Sequence, residues 1–590
     1  MCLTLSLLAP GAATAQEPPA QTQPSLPHLA KRGRATQLIV DGKPWLILGG
    51  ETNNTVSSDL SAMETIWPRL KRMHLNTVLV AVAWDWVEPE EGKFDFRLVD
   101  ELLAGARKND LRVVLLWFGS WKNSVSSFVP AWVKADQKRF PRVRIKGGRA
   151  VEILSPFSDA NREADQRAYV ALMRHVRQAD AGRNTVIMMQ MQNEVGVLGD
   201  SRDRSEPAEV AFRQPVPQEL MAYLRDNRER LYPDLRKLWE SAGAKIEGSW
   251  TDVFGDSPST DEIFMAWHYA RYMDAMSKAG KDVHPLPVFT NTWIVQPEDE
   301  RPGDYPSGGP EPLVIDVWRA GAPAIDFNAP DIYLPEFALW LERFDRPNNP
   351  LFVPEARGDA TGAANAFYAI GRHASMGYSP FGIDSMSRLL PRPEQSTTPA
   401  AVATTAPLAP TLSSSPSAAA AAAAVDVESL PLPRAYAVLE QLAPLILEHQ
   451  ASGRITGASL GRDKTQEQLR LGDYLINVSV RRNRLNPSQA APLGYGLFIQ
   501  TGPDEYFVAG NDIQVTFTPA GDEQAIAGLA RVEAGTFKDG KWTPSRILSG
   551  DDVLLDYKLA GAAEKRQSGS GLRFDSSGPR IQRVTLYKYR

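Results

Sequence analysis

Ile187-Met188-Met189-Gln190-Met191-Gln192-Asn193-Glu194 is an apolar run that closes on an amide and a carboxyl group. Leu351-Phe352-Val353-Pro354-Glu355 repeats the pattern, again with a carboxyl group at its close. Short apolar runs of this kind read as strands buried on both faces, and such strands belong to parallel sheets. Six more lie at Trp45–Gly49, Thr77–Val82, Arg112–Trp117, Leu286–Thr290, Ala324–Asn328 and Ser379–Ile383; with Thr185–Met191 and Leu351–Pro354 they make eight. Helical patterns alternate with them. Leu60–Met73 carries Leu60, Met63, Ile66, Trp67 and Leu70 at helix spacing. Phe96–Lys108, Glu163–Gln178, Pro217–Ser241, Asp261–Ala279, Phe337–Phe344, Gly362–Ser375 and Pro433–His449 follow. Parallel pairing needs a crossover, which helices supply. Eight such units predict an α/β chain whose Gln37–His449 close into a (β/α)8 TIM barrel. An open doubly wound sheet would carry a glycine-rich phosphate loop after its first strand, and Gly49-Gly50-Glu51-Thr52-Asn53 is no such loop.

Beyond the barrel the pattern turns all-β. Runs such as Gln468–Val480, Tyr495–Thr501, Ile513–Phe517 and Arg580–Tyr589 are bounded by Gly, Pro, Asp and Asn. Asp539-Gly540 between Phe537-Lys538 and Lys541-Trp542 is a hairpin signal. Residues 450–590 are therefore expected to form a smaller β-sandwich. Arg392–Asp426, rich in Pro, Thr, Ser and Ala, is expected to be a mobile loop between the eighth strand and the eighth helix. At the other end, the apolar Leu3–Leu8 and the small-residue Ala13-Thr14-Ala15 read residues 1–15 as an export signal. Residues 16–36 read as a flexible lead-in. A periplasmic or secreted location is the expectation.

Composition narrows the chemistry. The 590 residues carry 65 Lys and Arg against 70 Asp and Glu, a net charge of −5, which argues against a nucleic-acid partner. No apolar run approaches the roughly 20 residues that span a bilayer. The single Cys, Cys2, cannot build a disulfide or a thiolate metal site within the chain. Seven histidines include no His-Glu-x-x-His, and no P-loop or Gly-x-Ser-x-Gly elbow is suitably placed. No metal and no cofactor is expected.

Carboxylates remain. In a barrel the catalytic groups come from the carboxyl ends of strands, where Glu194 and Glu355 close strands four and seven. Two carboxyl groups across a barrel mouth suit cleavage of a glycosidic bond: one, protonated, assists the leaving oxygen, and the other, ionised, attacks or activates water. Their separation decides between retention and inversion. Trp84, Trp86, Trp117, Trp121 and Trp293 lie at or just past strand ends, where indole rings could pack on the apolar face of a sugar. Glu51 and Asn53 after strand one, and Asn291 after strand five, are candidate partners for sugar hydroxyls, which demand donors and acceptors once buried. The expected partner is an oligosaccharide or polysaccharide.

Three stretches carry a family resemblance: Trp84-Asp85-Trp86-Val87-Glu88-Pro89-Glu90-Glu91-Gly92-Lys93-Phe94-Asp95-Phe96, Pro130-Ala131-Trp132-Val133 and Gln190-Met191-Gln192-Asn193-Glu194. They resemble the β-galactosidases of glycoside hydrolase family 35, and Gly502-Pro503-Asp504-Glu505-Tyr506-Phe507 is similar to the β-domain of a bacterial branch, some of whose members take galactose from xyloglucan side chains. The resemblance implies an exo-acting, retaining enzyme with Glu194 as acid/base and Glu355 as nucleophile. It further implies that Asn193 bonds the sugar 2-hydroxyl and that Tyr333 orients Glu355. Two positions depart from the family. Gln192 stands where a Glu is usual, and Val87 where a His is usual; both bear on the expected sugar contacts.

Overall fold

The computed structural model describes residues 25–295, 299–387, 429–481, 491–521, 524–538, 540–554 and 570–590. The expected export signal and the Arg392–Asp426 tract lie outside these residues. The described chain opens with an antiparallel sheet of β1 (His28–Arg32), β2 (Ala35–Val40) and β3 (Lys43–Trp45). The expectation of a flexible lead-in to residue 36 is thus wrong at its end, because His28–Arg32 pairs along β2. Leu38 and Val40 explain the order: both are buried in the apolar cluster that fills the barrel, so the sheet plugs one end.

Eight parallel strands follow. They are β4 (Ile47–Leu48), β5 (Thr77–Ala83), β6 (Arg112–Lys122) and, after a two-stranded excursion of β7 (Arg142–Arg144) and β8 (Ala150–Leu154), β9 (Val186–Asn193), β10 (Val288–Trp293), β11 (Phe327–Ile332), β12 (Val353–Ala356) and β13 (Gly377–Pro380). The sheet runs β4-β13-β12-β11-β10-β9-β6-β5. It closes through Glu51, which bridges Leu79 of β5 on one side and Phe381 on the other. Leu79 N donates to Gly50 O at 2.9 Å and Thr52 N to Leu79 O at 3.1 Å, completing the ring. This is the expected TIM barrel. Facing alternates along each strand: Leu79, Ala81 and Ala83 fill the interior, while Val78, Val80 and Val82 pack on the helices.

The helices differ from expectation in two places. Pro217–Ser241 is not one barrel helix; it breaks into Gln218–Asp226 and Pro233–Ser241 within a long excursion after β9, and Pro258–Val283 is the helix that returns to β10. Pro233 starts the second piece because it supplies no backbone N–H for the helix interior. The helix after β10 is Ile315–Gly321, seven residues long and largely buried. Such a helix shows no polar face and therefore no periodic signal. The eighth helix is Pro431–Gln450, and its Tyr436 hydroxyl reaches the carbonyls of Gly49 at 2.9 Å and Tyr378 at 2.7 Å. That contact ties it across the first and eighth strands.

The last unit is a sandwich of two antiparallel sheets. Its strands are β14 (Ile455–Leu460), β15 (Gln466–Leu471), β16 (Tyr474–Val480), β17 (Gly494–Gly502), β18 (Glu505–Asn511), β19 (Ile513–Pro519), β20 (Ile526–Lys538), β21 (Lys541–Ile547), β22 (Gly571–Arg573) and β23 (Arg580–Tyr589). The sheets run β14-β17-β18-β23-β20-β21 and β15-β16-β19-β22. Lys538 pairs with Lys541, and Gly540 takes a φ of +72°, the left-handed value a tight hairpin requires. Part of the outer face of the larger sheet, on β17 and β18, is covered by the barrel. Tyr495, Leu497, Ile499 and Phe507 join the barrel's own core, with the Tyr495 and Phe367 rings 5.0 Å apart. Gly371, on helix Ala360–Arg372, meets Gly457 of β14 so closely that a Cβ there would fall 2.9 Å from the Gly457 backbone. The sandwich is thereby packed against the barrel's flank, away from the strand ends that carry the site.

Candidate active site

The carboxyl end of β9 is built by breaking strand alternation. Met189 and Met191 point to the outer wall, so Gln192 would face inward if the strand stayed extended. Gln192 instead has φ +59° and Glu194 φ +48°, both in the left-handed region that costs a residue with a side chain of order 1–3 kcal/mol. The turn at Gln192 sends its side chain outward and leaves Asn193 and Glu194 at the mouth. Across the barrel, Glu355 ends β12 directly beside Asp331 of β11 in the sheet register. Asn291 of β10 links the two sides: its Oδ1 accepts from Glu194 N at 3.1 Å and its Nδ2 donates to Asp331 Oδ2 at 2.6 Å.

The result is a dense cluster of acids. Glu194, Asp331 and Glu355 each offer a carboxylate oxygen within 4.8 Å of the others. Tyr333 OH donates to Glu355 Oε1 at 2.5 Å, and Asn123 Nδ2 donates to Glu194 Oε2 at 2.6 Å. Glu51, the residue that closes the barrel, is 1% exposed and, among the described residues, has no hydrogen-bond partner for either oxygen. One cation is buried with them. Lys122, at the end of β6, donates from Nζ to Asn193 Oδ1 at 3.0 Å and to Asn123, and lies 5.3 Å from the centre of the Phe118 ring.

Four carboxyl groups around one ammonium cannot all be ionised cheaply. Burial, then the charge of Glu355, pushes Glu194 up to about 7, with Lys122 pulling the other way. Glu51 and Asp331 are raised well above the ordinary range, again by burial first and the neighbouring acids next. Glu355 is raised by burial as well, but Lys122 and the Tyr333 hydroxyl oppose the rise. The cluster therefore distinguishes an acid that keeps its proton near neutrality, Glu194, from one whose neighbours favour the anion, Glu355. That split is what acid-assisted displacement needs. Glu194, Asp331 and Glu355 are also, among the described residues, the one group of three close enough to hold a metal ion. The ammonium of Lys122 already supplies positive charge to that cluster.

Not every expected contact is at the mouth. Asn53 is committed to Asp384: its N donates at 2.8 Å and its Nδ2 donates at 3.0 Å to each carboxylate oxygen. Trp84 is fully buried in the outer core, with Nε1 on Glu88 Oε2 at 2.8 Å, because it continues the outward set of β5. Trp121 is likewise buried, between Tyr269 and Tyr272, and Trp117 is bonded to Asp165. Trp86 and Trp293 are the tryptophans left near the mouth: Trp86 packs on the interior cluster beside Phe128, and Trp293 is 41% exposed at the end of β10. The two departures from the family do not touch the mouth either. Val87 lies in the outer core, and Gln192 bonds Asp165 and the Trp121 backbone. Lys122 and Asn123 were missed because β6 runs five residues past the expected end at Trp117. The rule that found the glutamates, polar groups at strand ends, would have found them with the strand end placed correctly.

Fold and site together have the architecture of a glycoside hydrolase. Residues 55–241 match the family model Glyco_hydro_42, described as beta-galactosidase, so the family that matches is 42, where the sequence motifs resembled family 35. Residues 432–557 match a domain of unknown function (DUF5597). No curated protein matches the chain. Among solved structures, a β-galactosidase from Rahnella is 18% identical with a TM-score of 0.39, covering 57% of this chain and 50% of its own. One from Bacillus circulans is 14% identical with a TM-score of 0.38 and the same coverages. The catalytic domain of a β-amylase from Paenibacillus polymyxa is 12% identical with a TM-score of 0.40, covering 56% of this chain and 91% of its own. The chain spans about half the length of the β-galactosidases it matches.

Proposed function

We propose that this chain is a retaining, exo-acting β-galactosidase that releases terminal β-linked galactose from plant-type oligo- or polysaccharides, with xyloglucan side chains as its natural target. The observation that carries the proposal is the pair Glu194 and Glu355, buried with carboxylate oxygens within 4.8 Å: burial raises both, the charge of Glu355 adds to the rise at Glu194, and Lys122 and the Tyr333 hydroxyl oppose the rise at Glu355. Carboxyls about 5–5.5 Å apart suit attack by one of them, whereas a gap of about 6.5–9.5 Å admits a water. Glu355 attacks the anomeric carbon while Glu194 gives its proton to the departing oxygen. Glu194 then takes a proton from water, and the hydroxide displaces Glu355 with a second inversion.

The unpartnered atoms supply the sugar pocket. Among the described residues, Glu51 Oε1 and Oε2, Glu355 Oε2 and Asn193 Nδ2 are buried without a hydrogen bond. Buried groups left so cost about 1–3 kcal/mol each, and the hydroxyls of a bound pyranose would relieve that cost. The family 42 match of residues 55–241 favours galactose, and the motif resemblance favours the xyloglucan branch. A periplasmic or secreted enzyme fits such a polymer.

Hydrolysis of aryl β-galactoside, β-glucoside and β-fucoside tests the sugar, and a clear preference for the glucoside would sink the galactosidase assignment. Galactose release from galactosylated xyloglucan, compared with galactan and lactose, tests the polymer. A further outcome follows from Tyr333. Tyr333→Phe removes a hydrogen bond to a charged carboxylate, a loss of about 1.5–3 kcal/mol, or roughly 10- to 150-fold in kcat/KM. Glu355 then ionises at higher pH, so the acid limb of the pH profile moves upward and the loss is greatest at low pH. An acid limb that stays in place would remove Tyr333 from this role.

A further inference from the structure

The left-handed turn at Gln192 is held from outside the barrel. Asp165 lies on helix Asp159–Ala179 and has no exposed surface. It accepts four hydrogen bonds. Trp117 Nε1 donates to Oδ1 at 2.8 Å; Ser120 N and Oγ donate to Oδ2 at 2.9 and 2.6 Å; Gln192 Nε2 donates to Oδ2 at 2.7 Å. Ser120 Oγ in turn lies 2.8 Å from Tyr272 OH. One carboxylate therefore joins the end of β6 to the end of β9, two residues before Glu194. The other end of the Gln192 amide is used as well, since its Oε1 accepts from Trp121 N at 3.0 Å.

An amide fits both bonds at every pH. It must donate to a carboxylate and accept from a backbone N–H. Leucine of similar size would leave the Trp121 N–H and Asp165 short of a partner in a dry pocket. Glutamate, the residue usual in the family resembled, would place two carboxylates about 2.7 Å apart, a distance at which one of them must hold a proton. With Gln192 released, the strand is free to return to ordinary alternation, and a one-residue change of facing moves every side chain that follows to the other side. Glu194 is the second side chain after the turn.

We propose that Asp165 and Gln192 form a latch behind the barrel wall that sets the turn at Gln192 and so aims Glu194 at the glycosidic oxygen. Both are positioning residues, touching neither the sugar nor the reacting atoms. The proposal rests on the glycosidase reading above, with Glu194 as its acid. It has a specific kinetic consequence. A misaimed acid penalises substrates whose leaving group needs a proton and spares those whose leaving group departs as a stable anion. The nucleophile Glu355, on the far side of the barrel, is untouched.

The test is kcat/KM over a series of aryl β-galactosides, from dinitrophenyl to phenyl leaving groups, for the wild type, Gln192→Leu, Gln192→Glu and Asp165→Asn. Loss for Gln192→Leu and Asp165→Asn is expected to be about 10²–10³-fold with phenyl and under about 10-fold with dinitrophenyl. The ratio across leaving groups cancels any fraction of unfolded enzyme, so a variant that folds poorly still reports. Gln192→Glu carries a second signature. Among the described residues, the ionisable groups packed around the latch, apart from Asp165 itself, include Tyr272 from helix Pro258–Val283, Tyr169 against Trp117 and Tyr269 against Trp121, which burial keeps neutral, and Arg162 one turn back on Asp165's own helix. While the introduced carboxyl group is protonated it can still donate to Asp165. This variant should therefore approach wild-type activity at low pH and lose it as the pair gives up its shared proton. Equal losses across all leaving groups, or a Gln192→Leu enzyme with wild-type constants, would overturn the latch while leaving the glycosidase intact. A wild type inactive on every glycoside would instead overturn the glycosidase reading itself.

Discussion

Glu355→Ala is expected to lower kcat/KM on an aryl β-galactoside by about 10⁴-fold or more, some 5 kcal/mol of transition-state stabilisation. The loss is this large because no other group can replace the nucleophile. Asp331 sits beside Glu355 in the sheet, but burial and three neighbouring acids raise it well above the ordinary carboxylate range and so disfavour its anion, and Glu51 is raised in the same direction. The stereochemistry of rescue identifies the role. Azide added to Glu355→Ala enters the space the carboxylate vacates and attacks the face opposite the leaving group, giving an α-glycosyl azide. Azide added to Glu194→Ala meets a glycosyl-enzyme already inverted once and gives the β-azide. Product configuration by NMR separates the two. A β-azide from Glu355→Ala, or retained activity without azide, would remove Glu355 from the nucleophile's position. Stability is expected to run the other way. Glu355 is a buried acid with one unpartnered oxygen among three others, so replacing it with glutamine relieves repulsion and should leave the thermal midpoint unchanged or higher.

Much of this was legible from residue order, and what escaped did so for definite reasons. All eight barrel strands overlap the apolar runs that predicted them, since a strand buried on both faces announces itself by composition alone. Glu194 and Glu355 were legible because each directly follows such a run. The helix Ile315–Gly321 was not, being too short and too buried to alternate polar with apolar. Facing was the commonest source of error. Trp84 and Trp121 were placed at the mouth on the strength of their positions near strand ends, yet one residue of register turns a side chain from sugar to outer wall. The partner of Asn53 was not legible: Asp384, which accepts from its amide nitrogen, comes 331 residues later. Lys122 failed through a local irregularity. The register between β6 and β9 shifts between Trp117 and Lys122, and Asn123 and Ser124 take φ of +50° and +65°, so the strand bends inward past its apparent end. No propensity encodes that bend; the contacts it makes with Asn193 and Glu194 do.

Lys122 is where the second large effect is expected. Its ammonium lowers the pKa of Glu51, Glu194 and Glu355 together, so it is the charge against which the whole acid cluster is balanced. Lys122→Met keeps the length and the apolar stem over Phe118 while removing the charge and the bond to Asn193. Without the cation both limbs of the pH profile shift upward, because Glu355 becomes harder to ionise and Glu194 holds its proton longer. The sign at fixed pH follows. On the acid side of the profile the variant loses its nucleophile's charge and kcat/KM falls by about 10²–10³-fold, the cost of removing one preorganised charge from a dry site. On the alkaline side Glu355 ionises again while Glu194, its own pKa raised from about 7, still holds a proton, so the deficit narrows. Measured from pH 4 to 9, an optimum displaced toward alkali is the expected result, with Lys122→Arg nearer to wild type than Lys122→Met. An equal loss at every pH would mean that Lys122 merely holds Asn193 in place, and the electrostatic role assigned to it would fall.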